Sequence, residues 1–416
     1  MKRRVVVTGI GVVTSLSCQV EDLWQRILAG ESGVHALRCF DTEAFKITFG
    51  GDIHDWDPRK YIEPKEIKRV DRFTQFAMVA GADAIRDSGI DFSKEEPFRC
   101  GVILGSGIGG LGEIETQMFK LFQKGPSRVS AMTVPKMMLN AAGGQLSIEY
   151  GLQGPNYTIA TACASATNAI GDALKTIQYG DADVMITGGT EAAMTRMGLS
   201  AFTNIRALSS RNDEPARASR PFDLDRDGFV FSEGAGLLVF EELEHAKARG
   251  ANIYAEVLGY GASGDAGHIT QPDETGTGAA HAMSAALRDA RVDPADVDYI
   301  NAHGTSTPLG DKAETIAVKD VYGDAATSVS ISSTKSQLGH SLGASGGIEL
   351  VLTAKAIQNN VVPPTINLDT PDPACDLDYT PNEARERQIN VAMSNSFGFG
   401  GHNASVVISS LRNGQA

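Results

Sequence analysis

Cysteine is scarce in this 416-residue chain: Cys18, Cys39, Cys100, Cys163 and Cys375 make five, an odd number with no C-x-x-C pair. That pattern argues against a disulfide framework or a zinc ribbon and for a reducing compartment. Positive charge is also short, with 37 Lys+Arg against 51 Asp+Glu and a net charge of −14. A general nucleic-acid binder would need the opposite balance. No apolar run approaches the ~18 residues of a membrane span. Lys2-Arg3-Arg4 followed by Val5-Val6-Val7 has the opening of a signal peptide, but Thr8, Gly9 and Gly11 interrupt it and no cleavage site follows. A buried first strand and a cytoplasmic protein fit better. Pro/Ser-rich linkers and low-complexity segments are lacking too.

What is present is globular, with 42% hydrophobic and 21% charged residues, and rich in glycine at the ends of apolar runs. Short β-branched runs predict strands over 4–7, 101–104, 184–187, 237–240, 254–258, 297–301, 328–331 and 404–408. Helical periodicity covers 20–29, 73–87, 167–179, 276–289 and 311–322, the last opened by Asp311 and Glu314 as a capping box. Alternating strands and helices predict an α/β fold with mainly parallel sheets. A break at 250/251 divides the chain into halves 1–250 and 251–416 that pack as one body. Val6-Val7-Thr8-Gly9-Ile10-Gly11 is faintly echoed by Val257-Leu258-Gly259-Tyr260-Gly261, a hint of duplication.

Cys163 stands in Thr161-Ala162-Cys163-Ala164-Ser165, small residues where a strand runs into a helix. A helix N-terminus favours a thiolate, although a small buried core cysteine reads the same way. His303 and His340 each follow a strand, where open α/β sheets bind ligands. One such histidine is ordinarily structural; two with a cysteine make a nucleophile and its acid/base partners. The three are far apart in sequence and no i,i+4 His pair occurs, so no metal is expected. Glu349 sits in an apolar helical stretch, either solvated or neutralised by Lys335. Ser396-Phe397-Gly398-Phe399-Gly400-Gly401 reads as a glycine-rich hairpin or as a gate carrying Phe399. Gly9 and Gly11 suggest a dinucleotide turn, but Thr14 stands where the third glycine belongs.

Together these motifs closely resemble the elongating β-ketoacyl-acyl-carrier-protein synthases, thiolase-fold condensing enzymes of fatty-acid synthesis. The resemblance runs from Val5-Val6-Val7-Thr8-Gly9 to the 397–401 turn, and is most specific at Thr161-Ala162-Cys163, His303-Gly304-Thr305-Ser306-Thr307-Pro308, Lys335, Gly339-His340 and Asn395–Gly401. Arg226-Asp227-Gly228-Phe229-Val230 is also family-like, and Gly105-Ser106-Gly107-Ile108-Gly109-Gly110 looks like the type II branch. The family implies a duplicated five-layer αβαβα sandwich with two mixed five-stranded sheets, paired as a homodimer. It implies Cys163 as nucleophile, His303 and His340 on the enolate, Lys335 with Glu349 as its charge partner, and the Phe399 N–H in the oxyanion hole. Asp311 is a further structural charge partner. Ile108 and Phe202 match acyl-pocket positions, and Thr305 and Thr307 the hydroxyls that hold pantetheine. No cofactor is implied. A type II polyketide ketosynthase keeps the same triad and is the alternative within the class; an NAD(P)-dependent oxidoreductase on the Gly9/Gly11 turn is the alternative outside it.

The partner is then an acidic carrier protein, which a chain of −14 would repel without a local basic site. Lys65, Lys68, Arg69 and Arg72 recur at helical spacing, and Arg206 extends them; a solvated helix face is the plainer reading.

Overall fold

The computed structural model describes residues 2–411. Ten strands of one continuous sheet and six of the helices packed on them set the architecture. The first half comprises β1 (Val5–Val13), α1 (Arg72–Ser88), β2 (Cys100–Gly105), α2 (Ala141–Tyr150), β3 (Asn156–Ile159), α3 (Ser165–Tyr179), β4 (Val184–Glu191) and β5 (Gly234–Glu242). The second repeats the series: β6 (Ala255–Gly264), α4 (Thr277–Ala290), β7 (Tyr299–Asn301), α5 (Pro308–Tyr322), β8 (Ser330–Ser332), α6 (Ser345–Asn359), β9 (Val391–Gly398) and β10 (His402–Ser409). The strand orders correspond, β3-β2-β4-β5-β1 and β8-β7-β9-β10-β6. Each half has three parallel strands followed by two antiparallel ones. The two five-stranded units are joined at one edge, where Val5, Val6 and Val7 of β1 pair with Val257, Glu256 and Ala255 of β6.

α3 and α6 lie between the sheets, as their burial requires: α6 is buried from Ser345 to Ile357. Their side chains join Ile10, Leu238 and Val406 in the largest apolar cluster. α1 covers the outer face of the first sheet and α4 that of the second.

The echo around Gly9 and Gly259 has a packing cause. A Cβ on Gly9 would lie 2.1 Å from the Ala84 carbonyl oxygen, and one on Gly11 2.0 Å from that of Ala80, so α1 touches the strand backbone. Gly259 and Gly261 do the same for α4, at 2.4 Å from the Ala290 nitrogen and 2.2 Å from the Ala282 oxygen. β1 also passes straight through Gly9 and Gly11 to Val13, which leaves no phosphate-binding turn and corrects the oxidoreductase alternative. The pairing register slips between Val7 and Gly9 in one half and at the Gly259/Val257 step in the other.

Two local expectations are corrected. α5 begins at Pro308, not Asp311, because the Thr307 hydroxyl accepts the Gly310 N–H as its cap. Asp311, one turn in, is fully buried and accepts the Phe222 and Ser306 N–H groups beside Arg226. Lys65 to Arg72 do not form one helix face, since a short helix ends at Ile67 and α1 starts at Arg72. Arg72 turns inward to pair with Glu233 at 2.6 Å, leaving Lys65, Lys68 and Arg69 exposed.

Candidate active site

Cys163 occupies a tight elbow between β3 and α3. Ala162 takes φ +50°, a conformation that costs a non-glycine residue energy and persists only where its surroundings impose it. The Ser165 hydroxyl donates to the Ala162 carbonyl, and Ser165 Oγ accepts the Thr161 N–H. The β9–β10 hairpin presses on the elbow: a Cβ on Gly398 would lie 2.9 Å from the Cys163 nitrogen. The backbone N–H groups of Phe399 and of Cys163 itself favour the anionic form of the sulfur.

Burial nevertheless wins over the helix terminus and pushes the Cys163 thiol up to about 11, against the pull of the Phe399 N–H and the Lys335 charge. The helix terminus alone therefore does not set the acidity of this thiol. At neutral pH this environment keeps the sulfur protonated.

His303 and His340 meet edge-to-face with ring centroids 5.4 Å apart. His340 is fixed through its backbone, its N–H donating to Val230 O at 2.7 Å and its carbonyl accepting the Ser232 N–H at 3.1 Å. Its Nδ1 lies 3.0 Å from Ser345 Oγ, while Nε2 is buried with no partner. A Ser345 hydroxyl donating to Nδ1 leaves the proton on Nε2 as a free donor. The His303 and Gly304 N–H groups each donate to Glu314 at 2.8 Å. Burial, with the Lys335 charge added, holds both imidazoles well below their usual value and hence neutral. Lys335 and Glu349 form a buried ion pair, so the solvated reading of Glu349 falls away. Burial raises Glu349 to about 7 against that cation.

One cavity of about 370 Å³ brings Cys163, His303, His340, Phe202, Thr305 and Thr307 together, with Arg206 at its lining and Phe399 beside the sulfur. Ile108 does not line it and instead packs among the apolar residues around Cys163. Lys335, Glu349 and Asp311 stand behind the cavity wall, and Lys65, Lys68 and Arg69 are on the surface.

Sequence reasoning missed Glu191 and Glu314. Glu191 is fully buried and accepts the N–H groups of Gly107, Ile108, Gly109 and Gly343, so one carboxylate ties the 105–110 loop to the second half. The available signal was an acid closing the apolar strand 184–191. In sequence Glu314 reads only as part of a capping box.

Duplicated halves meeting over a Cys-His-His cavity define an acyl-transferring condensing enzyme of the thiolase-like class. The chain belongs to the β-ketoacyl synthase family: the profile of its N-terminal domain matches residues 2–246 and that of its C-terminal domain residues 254–369. It is 50% identical to the 3-oxoacyl-[acyl-carrier-protein] synthase 2 of Coxiella burnetii, covering 98% of this chain and 99% of that one. The Staphylococcus aureus (strain COL) protein of the same name is 50% identical, with 97% and 98% covered. Among solved structures, a β-ketoacyl synthase from Burkholderia phymatum STM815 superposes with TM-score 0.92 at 36% identity over 99% of this chain and 100% of that one. A chain from a type II polyketide ketosynthase in complex with its acyl-carrier protein matches at TM-score 0.92 and 35% identity, with the same coverage.

Proposed function

We propose that Cys163, His303 and His340 carry out a decarboxylative Claisen condensation, the reaction of the 3-oxoacyl-[acyl-carrier-protein] synthases of fatty-acid elongation. The observation that carries this reading is a cysteine on a constrained elbow sharing one cavity with two buried neutral imidazoles.

The Cys163 sulfur attacks the thioester carbonyl of an acyl carrier as its proton departs. The tetrahedral oxygen meets the N–H groups of Cys163 and Phe399, and the carrier thiol leaves protonated. Malonyl carrier then loses CO2. His303 and His340, as neutral N–H donors, hold the enolate oxygen without protonating its carbon, which is binding aimed at the transition state. The carbanion attacks the Cys163 thioester, a C–C bond replaces the C–S bond, and the thiolate recovers a proton. The product is a 3-oxoacyl carrier two carbons longer. These steps balance without a redox cofactor or a metal. Burial, with the charge of Lys335 held by Glu349 added, keeps both rings neutral; Phe202, Thr305 and Thr307 shape the acyl and pantetheine channels, and Ile108 backs them from the apolar cluster around Cys163.

A type II polyketide ketosynthase would use the same three residues. Identity of 50% to the named synthases, against 35% to the polyketide chain, favours fatty-acid elongation. Lys65, Lys68, Arg69 and Arg206 form the docking face for the carrier, with Arg206 at the cavity. Halves 1–250 and 251–416 supply the nucleophile and the two histidines respectively. The exposed edge strand β3, with Tyr157 in solvent, pairs with a second copy to form the homodimer. Among the described residues no helix is long and apolar enough to cross a membrane. The site of action is the cytoplasm.

The test uses two variants. Cys163→Gln loses condensation yet still releases CO2 from malonyl carrier, because the imidazoles remain. A Cys163→Ala protein that elongates at the wild-type rate overturns the reading.

A further inference from the structure

His35 and His54 come together through a short hairpin. His35–Ala36 pairs antiparallel with Phe49–Gly50, His35 lying opposite Gly50, so that Asp52 and His54 return beneath His35. His35 Nε2 is 2.9 Å from Asp52 Oδ1, and His54 Nδ1 is 3.2 Å from His35 Nε2. The three ligand atoms all fall within 4.8 Å of one another. A tetrahedral metal with bonds of about 2.0–2.1 Å spaces its ligand atoms at about 3.3–3.4 Å. Asp52 is fully buried, and its Oδ2 is oriented by the N–H groups of Arg38 at 3.2 Å and Cys39 at 3.0 Å. Its Oδ1 is aimed at the two rings and meets His35 Nε2, which donates to it only when that nitrogen is protonated.

The proton count around the rings does not close. Arg38 Nη1 stands 3.2 Å from His54 Nε2. If that nitrogen accepts from Arg38, His54 Nδ1–H donates to His35 Nε2, and two lone pairs then face each other between His35 and Asp52. If instead His35 Nε2 carries a proton for Asp52, His54 must accept on Nδ1, and its Nε2–H then faces the Arg38 donor. Every assignment sets like against like at one contact. With the exposed Arg38 side chain turned to solvent, His54 Nε2 keeps the proton, and His35 Nε2, His54 Nδ1 and Asp52 Oδ1 are left as three converging donor atoms for a cation.

We infer that His35, His54 and Asp52 bind a divalent transition metal of the zinc class, with water in the fourth position. Imidazole and carboxylate donors suit that ion, and the exposed His54 leaves it a way in. The role is structural and lies outside the condensation chemistry. Gly51 N–H donates to Phe231 O at 2.9 Å, Ile53 N–H donates to Glu233 at 2.9 Å, and Ser232 N–H donates to the His340 carbonyl. A metal closing the hairpin therefore braces the strand segment that holds His340.

The experiment is a Zn2+ titration of the whole, chelator-treated protein against a chromogenic competitor, with Trp56 emission followed in parallel. Trp56 is two residues from His54, whereas the chain's other tryptophan, Trp24, is buried in the central core. Wild type and Cys163→Ala should each take up about one equivalent per chain with a change in emission. His35→Ala/His54→Ala and Asp52→Asn should take up none, and Arg38→Ala should bind more tightly. Circular dichroism checks that each variant is folded. No uptake by wild type, uptake that survives His35→Ala/His54→Ala, or uptake that disappears in Cys163→Ala, where the catalytic residues would be the ligands, overturns the site.

Discussion

In the first half β3 runs into Thr161-Ala162-Cys163-Ala164-Ser165; in the second, the segment after β8 runs into Ser341-Leu342-Gly343-Ala344-Ser345. Ala162 and Leu342 both take left-handed backbone angles, φ +50° and +48°. The Ala164 N–H donates to Thr161 O and the Ala344 N–H to Ser341 O, each at 3.0 Å. Each elbow opens a 15-residue helix. The backbone is thus built twice, but the third position is a thiol in one copy and a hydrogen in the other. A Cβ on Gly343 would lie 2.4 Å from the Gly107 nitrogen and 2.7 Å from Glu191 Oε2. One elbow presents the cavity's thiol; the other yields its volume to the loop that Glu191 holds.

The largest expected effect comes from exchanging those roles. Cys163→Ala should lower condensation by about four orders of magnitude or more, and Cys163→Gly/Gly343→Cys should not recover it. A product assay that finds the swapped protein active would make the elbows interchangeable. Next comes the helix position five residues into each copy, where α3 has Ala169 and α6 has Glu349. Glu349→Ala strands a buried Lys335 and should cost about 3–5 kcal/mol in urea unfolding. Lys335→Met/Glu349→Leu should regain most of that stability but not turnover. The glycine seams should behave alike: Gly11→Val and Gly261→Val each drive a side chain into a helix backbone and should cost about 1–3 kcal/mol by thermal denaturation. A cost at only one of them would end their equivalence. The smallest effect lies in the first half alone. Lys65→Glu/Arg69→Glu should raise KM for carrier-bound substrates several-fold at low salt, fade as salt rises, and spare small acyl thioesters. Equal losses on both substrate types would remove the docking face.

Strands and helices with strong periodicity were legible before the fold was seen, because burial on both sheet faces leaves runs such as 184–187 and 237–240 almost wholly apolar. β3 was not: as an exposed edge its Asn156-Tyr157-Thr158 carries no such signal. At the site, the small-residue elbow and the two histidines could be read because their surroundings were unusual for their residue types. Glu191 and Glu314 could not, since a buried carboxylate that collects backbone N–H groups looks like any surface acid until the chain folds around it. The His35/Asp52/His54 group was missed for a related reason: strand pairing, not i,i+4 spacing, unites it. The acidity of the Cys163 thiol was not legible, because burial, invisible in sequence, outweighs the helix terminus.

The pairing of β1 carries a consequence for how the chain is made. Its partners are residues 235–242 on one side and 255–257 on the other. At roughly 5–20 residues per second, a ribosome needs about 12–50 s to supply them after β1 emerges. For that interval a strand of nine buried residues, VVVTGIGVV, has α1 to cover one face but no strand to pair with. Such long-range pairing makes folding slow and late. Deleting residues 234–257 should therefore leave the remainder insoluble rather than folded, while in the intact chain chaperones hold β1 until its neighbours arrive.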